Sequence, residues 1–139
     1  MNDAVEFPAR PLEDEALAFV RGEGHRRLSL REFRGTWVVL ALGASRSEVL
    51  DLAAHEEAFA ADGAVVLAST PADREVVARA YADLPVRFPI LCGVEESPVT
   101  MVVDPDGLVR YLGGPQTARE LLATLETVLD VPLDQRRAA

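Results

Sequence analysis

Trp37-Val38-Val39-Leu40-Ala41-Leu42, then Gly43-Ala44-Ser45, then an amphipathic segment from about Arg46 to Phe59, is the stretch around which the chain is organised. An unbroken apolar run bounded by a turn reads as a strand buried on both faces. Strand, tight turn and helix is an arrangement in which many α/β proteins place their chemistry, at the helix N-terminus. Here the turn offers Ser45, Arg46 and Ser47, with no cysteine, histidine or glycine-rich loop.

The elements on either side give the architecture. After Trp37–Leu42, Val49, Leu52, Ala53 and Phe59 can share one face of a helix over roughly residues 47–61, which Asp62-Gly63 ends. Ala64-Val65-Val66-Leu67-Ala68 is a second buried strand, so the pair forms a right-handed parallel βαβ unit. Thr70 with Pro71 at the first helical position opens another helix, whose face is Val77, Ala80, Tyr81 and Leu84 and which Pro85 stops. Phe88 to Leu91 is a short extended piece leading to Cys92 and Gly93. Asp104-Pro105-Asp106-Gly107 between apolar runs at 99–103 and 108–112 signals an antiparallel hairpin. Thr117-Ala118-Arg119-Glu120 is a capping box that opens a last helix ending near Pro132.

Upstream, Ala16–Val20 and His25–Leu28 read as a hairpin around Gly22-Glu23-Gly24. Ser29-Leu30-Arg31-Glu32 is a further capping box, starting one helical turn that ends at Gly35. Residues 1–12 read as an arm, 13–132 as a single domain and 133–139 as a tail. The expected fold is α/β, a central sheet with two parallel and two antiparallel strands and helices on both faces.

Bulk properties exclude several functions. A length of 139 residues, 49% hydrophobic and 27% charged, suits one globular domain. No apolar run is long enough to cross a bilayer, and Met1 to Glu15 carries no signal-peptide pattern, so the expectation is a cytoplasmic protein with no membrane contact. The net charge is -9 and the basic residues look scattered along the chain, which argues against nucleic-acid binding. A single cysteine rules out an internal disulfide, and His25 and His55 lie thirty residues apart, so neither a metal nor another cofactor is expected.

Four pieces in order carry a resemblance to a known family. The run from Leu28 to Leu40 resembles the opening segment of peroxiredoxins and redoxin-type thioredoxins. Leu42-Gly43-Ala44-Ser45 looks like the turn before their reactive cysteine, and Phe88-Pro89-Ile90-Leu91 is similar to their Phe-Pro-x-Leu segment. Pro98-Val99-Thr100-Met101-Val102-Val103-Asp104 resembles the segment in which thioredoxin-fold proteins carry a cis-proline. The match covers roughly residues 15–130. It implies a thioredoxin-like three-layer α/β/α fold, a cis Ser97–Pro98 bond and compatibility with a homodimer. It also places Ser47 at the first or peroxidatic cysteine position, Leu50 at the second cysteine position and Ala44 at the family's threonine. The stretch between Leu91 and Pro98 is shorter than is usual for redoxins.

The candidate site is therefore a vestigial corner of Ser45, Arg46, Ser47, Leu50 and Pro98. Ser47 lacks a base, because His55 lies eight residues along the helix, about 12 Å away by helical rise. Ser45 or Ser47 is more simply a helix N-cap. Cys92 is the sole thiol, and Glu95 and Glu96 would raise its pKa if they are near. The expectation is a scaffold without redox cysteines that binds an unidentified protein partner. The alternatives are a weak one-cysteine antioxidant using Cys92, and a binder of small molecules or anions at the groove between Ser47 and Pro98, where Arg46 and the helix N-terminus would meet an anion.

Overall fold

A computed structural model describes residues 16–94 and 97–130. The expected arm, the expected tail, and Glu95 and Glu96 lie outside the described residues.

The Trp37–Leu42 run is a strand, β3, buried at every position after Trp37. It follows the hairpin β1 (Ala16–Val20) and β2 (Gly24–Leu28), and precedes β4 (Ala64–Ser69), β5 (Ile90–Leu91), β6 (Val99–Val103) and β7 (Val109–Gly113). All seven form one mixed sheet in the order β2-β1-β5-β4-β3-β6-β7. β3 pairs in parallel with β4, with Val38 opposite Val65 and Leu40 opposite Leu67. β4 is parallel to β5, and β6 runs antiparallel to β3. The sheet has three strands more than the four expected. The additional connection is short: β5 is two residues long and pairs only Ile90 with Phe19 and Leu91 with Ala18, yet it joins the β1–β2 hairpin to the central strands.

Alternation along the strands sorts the core into two faces. Val39 and Ala41 of β3 point to the same side as Val66, Ile90 and Val102, and there they meet residues of every α-helix: Val49 and Leu52 from α1 (Arg46–Ala54), Phe59 from α2 (Glu56–Ala61), Val77 from α3 (Arg74–Tyr81) and Leu125 from α4 (Ala118–Leu129). Val38, Leu40 and Leu42 point the other way, among Leu67, Met101 and Val103. On that face the cover provided by described helical residues is a single 3₁₀ turn, Leu30–Phe33, which contributes Leu30 and Phe33. The short connection from β5 to β6 agrees with this. β5 ends and β6 begins at the same edge of the sheet, and the described residues between them, 92–94 and 97–98, include no α-helix.

Two expected helices differ in detail. The helix over 47–61 is broken at His55, which sits at φ -114° and ψ 11° and whose Nδ1 bonds to the Asp51 carbonyl at 2.9 Å. The break redirects the chain, so that Phe59 becomes fully buried against the sheet. The second helix does not begin at Thr70-Pro71. The Thr70 N–H donates to the Leu91 carbonyl and its hydroxyl accepts the Ala72 N–H, which ties this segment to β5. Asp73 takes the cap instead, its carboxylate accepting the Val76 N–H at 3.0 Å, and α3 ends at Tyr81, ahead of Pro85.

The Asp-Pro-Asp-Gly hairpin forms as read. One oxygen of Asp104 accepts the N–H groups of Asp106 and Leu108, and the other accepts Nε–H of Arg110 at 2.7 Å. The capping box at Thr117 is complete, with Glu120 accepting the Thr117 N–H and the Thr117 hydroxyl accepting the Glu120 N–H. Among the described residues, no helix is long and apolar enough to cross a membrane.

Candidate functional site

β3, β4 and β5 are parallel, so their carboxyl ends share one edge of the sheet, and both the Ser45 corner and Cys92 lie along it. The corner is built by the last residue of the neighbouring strand. Gly43 turns at φ +65°, its N–H donating to the Ser69 hydroxyl at 3.0 Å, and the Ala44 N–H donates to the Ser69 carbonyl at 3.0 Å. Ser69 is fully buried and has no counterpart among the residues that the sequence singles out. The available signal is a hydroxyl at the end of an otherwise apolar strand.

The helix that leaves this turn caps itself. Ser45 is the N-cap: its hydroxyl accepts the Glu48 N–H at 3.2 Å, and a Glu48 carboxylate oxygen accepts the Ser45 N–H at 2.7 Å. Ser45-Arg46-Ser47-Glu48 is thus a third capping box, legible from the spacing. Ser47 is two residues further along, exposed, with its hydroxyl 3.2 Å from that of Ser45. Leu50 is half-buried and packs against the helix-side core. Arg46 is exposed; its charge reaches Tyr81, where it opposes the burial that pushes the phenol up.

The bond from Ser97 to Pro98 is trans, since no cis peptide occurs among the described residues. The resemblance implied cis. Pro98 is exposed, and trans is the intrinsic preference of an X-Pro bond by about 0.5–1 kcal/mol. The thioredoxin-like fold rests on the order and direction of the strands, which this bond does not alter.

Ser47 and Pro98 line adjoining hollows that share Glu48, Pro115 and Gln116. Pro98 lines a cavity of about 10 Å³ with Ala44, Glu48, Thr100 and Gln116, which is room for about one water. Ser47 lines the adjoining open cleft of about 330 Å³ between the N-termini of α1 and α4, with Glu48, Asp51, Gln116, Thr117 and Glu120. Asp51 closes the base of that cleft by accepting the Ala118 N–H at 2.8 Å. Three carboxylates and no basic side chain line it, which is the opposite of an anion site. The helix end that would attract an anion already holds the Glu48 carboxylate.

Cys92 is buried just beyond β5. Its N–H donates to the Leu17 carbonyl at 2.8 Å, and its thiol donates to the Ile90 carbonyl at 3.5 Å. Burial pushes the thiol pKa up, a backbone hydrogen bond from Phe19 opposes this, and the Asp73 charge adds to the rise. Among the described residues, the acid that acts on it is Asp73, the α3 cap, nineteen residues upstream.

No family model matches the chain, and no curated protein matches it. Solved structures do. AhpC of Enterococcus faecalis superposes with a TM-score of 0.73 at 20% identity, covering 85% of this chain and 89% of that one. The mitochondrial 2-Cys peroxiredoxin of Plasmodium falciparum gives 0.74 at 12% identity, over 85% and 90%. AhpC of Mycobacterium bovis gives 0.72 at 16% identity, over 86% and 90%. Likeness at such identities is likeness of fold, and the chain has a thioredoxin-like α/β fold of the peroxiredoxin kind that carries one cysteine, Cys92.

Proposed function

We propose that this chain is a non-catalytic binding or interaction module of the cytoplasm, a peroxiredoxin-like scaffold that lacks the thiol chemistry of the corner at which α1 begins. One observation carries the reading: the helix N-terminus that would activate a thiol is filled by its own Ser45–Glu48 capping box and presents Ser47, an exposed hydroxyl. A serine there is a poor nucleophile without a base. His55, the histidine of the same helical segment, has its Nδ1 on the Asp51 carbonyl.

The one-cysteine antioxidant reading would need Cys92 as a thiolate. Burial and Asp73 favour the neutral thiol instead, and Cys92 follows a strand rather than opening a helix. The groove-binding reading is opposed by the size of the cavity at Pro98 and by the acidic lining of the neighbouring cleft.

The test is thiol-dependent peroxide consumption by the chain and by its Cys92→Ser variant, run with a dithiol reductant in excess. The expected rates are equal to each other and to the reductant alone. Turnover by the unaltered chain that disappears in Cys92→Ser would replace the binding reading with the antioxidant one.

A further inference from the structure

The arginines are not scattered evenly along the chain, as the expectation against nucleic-acid binding had it. The chain has 14 basic residues and all are arginine. Arg21, Arg26, Arg27, Arg31 and Arg34 fall between the β1–β2 turn and the end of the 3₁₀ turn, every one of them exposed, with only Glu23 and Glu32 as acids in that segment. The remainder of a chain whose net charge is -9 is correspondingly more acidic. Arg21, Arg26 and Arg27 lie on or beside an open strand edge, while Arg34 lies against Gly107 of the β6–β7 turn, at the other end of the sheet. β2 ends the sheet, pairs with β1 over five consecutive positions without a bulge, and has no strand on its outer side among the described residues.

Successive side chains of β2 alternate between faces. Arg27, opposite Leu17, stands on the helix side, whereas Arg26, opposite Ala18, stands on the other. Arg26 is shared between Glu32 at 3.2 Å and Glu23 at 3.8 Å. Arg21, Arg27 and Arg31 form no ion pair among the described residues.

We propose that the outer edge of β2 is a docking strand for an extended acidic segment of a partner protein, held by backbone pairing and selected by Arg21 and Arg27. An open edge offers unpaired N–H and C=O groups to any extended chain, and proteins commonly blunt it with proline, a bulge or a covering element. β2 has no proline and no bulge; it has charge. Charge on an edge discriminates among occupants. A second copy of β2 would bring arginine against arginine, which is destabilising, whereas a strand with Asp or Glu at alternate positions can set them on the face of Arg27, which has no ion pair among the described residues. Nucleic acid offers the same attraction to arginine but no strand backbone, and its long phosphate chain would run onto the acidic remainder of the surface. The inference rests on reading the chain as a binding module and names the chemistry of its partner.

The experiment is a fluorescence-anisotropy titration of the full chain with a labelled short peptide alternating glutamate with valine. The comparison probes are its lysine counterpart, a version with proline at alternate positions, and a single-stranded oligonucleotide. Saturable binding of the glutamate peptide is expected, at least about tenfold tighter than any of the others. The Arg21→Glu/Arg27→Glu variant, with unchanged far-UV circular dichroism, should weaken it by about tenfold or more. Equal binding of the proline version would overturn strand addition, and tighter binding of the oligonucleotide would overturn the acidic-peptide partner. No binding of the glutamate peptide would leave the arginines as protection against self-pairing and overturn the proposal. Peroxide turnover through Cys92 would count against the binding-module reading separately, whatever the peptides do.

Discussion

Two corners of the same sheet edge divide between them what a reactive thiol requires. The corner after β3 has the helix: α1 begins there, its first N–H groups facing outward, with Arg46 beside them. The corner after β5, two strand spacings away or about 10 Å, has the thiol: Cys92, buried and followed by no helix among the described residues. A helix N-terminus lowers a thiol pKa because its partial positive charge favours the anion, and burial raises it because the anion loses water. One corner holds the field without a thiol, the other a thiol without the field. The two ingredients sit at the ends of different strands.

The largest expected effect comes from bringing them together. In Ser47→Cys, the new thiol is exposed at the α1 N-terminus, while Cys92 in the same molecule serves as the internal reference. Competitive alkylation at neutral pH, read by mass spectrometry of the two peptides, should favour residue 47 by about a hundredfold, from exposure and lowered pKa together. Adding Glu48→Gln, which keeps the capping hydrogen bond and removes the opposing charge, should widen the ratio. Equal labelling of the two positions would break the comparison, since it would mean that the α1 terminus confers nothing.

A smaller effect tests how the first corner is held. Ser69→Ala removes the hydroxyl that accepts the Gly43 N–H and leaves that donor without its partner inside the turn. An unsatisfied donor costs about 1–3 kcal/mol. Denaturant unfolding should report a loss of about 2 kcal/mol, and the labelling advantage of a cysteine at position 47 should shrink as the turn loosens. An unchanged midpoint would show that Ser69 merely fills space.

The difference between the corners also marks what a sequence shows and what it withholds. The place of the first corner is legible because β3 is an uninterrupted apolar run and the turn after it is made of small residues. The hairpin at Asp104 and the box at Thr117 are legible for a similar reason: each is a local arrangement, complete within a few residues. The third box, Ser45 to Glu48, has the same spacing and is equally local. What stays hidden is non-local. Ser69 supports Gly43 from 26 residues away, Asp73 reaches Cys92 across a strand connection, and two residues of β5 dock a whole hairpin. The His55 break belongs here too, because it depends on what packs around it.

The smallest effect concerns the second corner and is a matter of pH. Burial and Asp73 hold the Cys92 thiol pKa above its ordinary value, so the fold prefers the neutral form. A folded pKa above the unfolded one gives stability that is complete below the ordinary thiol range of about 8–9 and is lost as pH rises through the higher folded value. The melting temperature of the unaltered chain should therefore fall faster on the alkaline side than that of Cys92→Ala. Tyr81 is also raised by burial and weakens the fold at high pH, but it is present in both proteins and cancels in their difference. Asp73→Asn keeps a side-chain oxygen to cap α3 and removes the charge, so it should bring the thiol down and narrow the alkaline loss. If the difference between chain and Cys92→Ala stays flat from about pH 7 to 10, Cys92 is solvated like a free thiol and the contrast between the two corners reduces to the presence or absence of a helix.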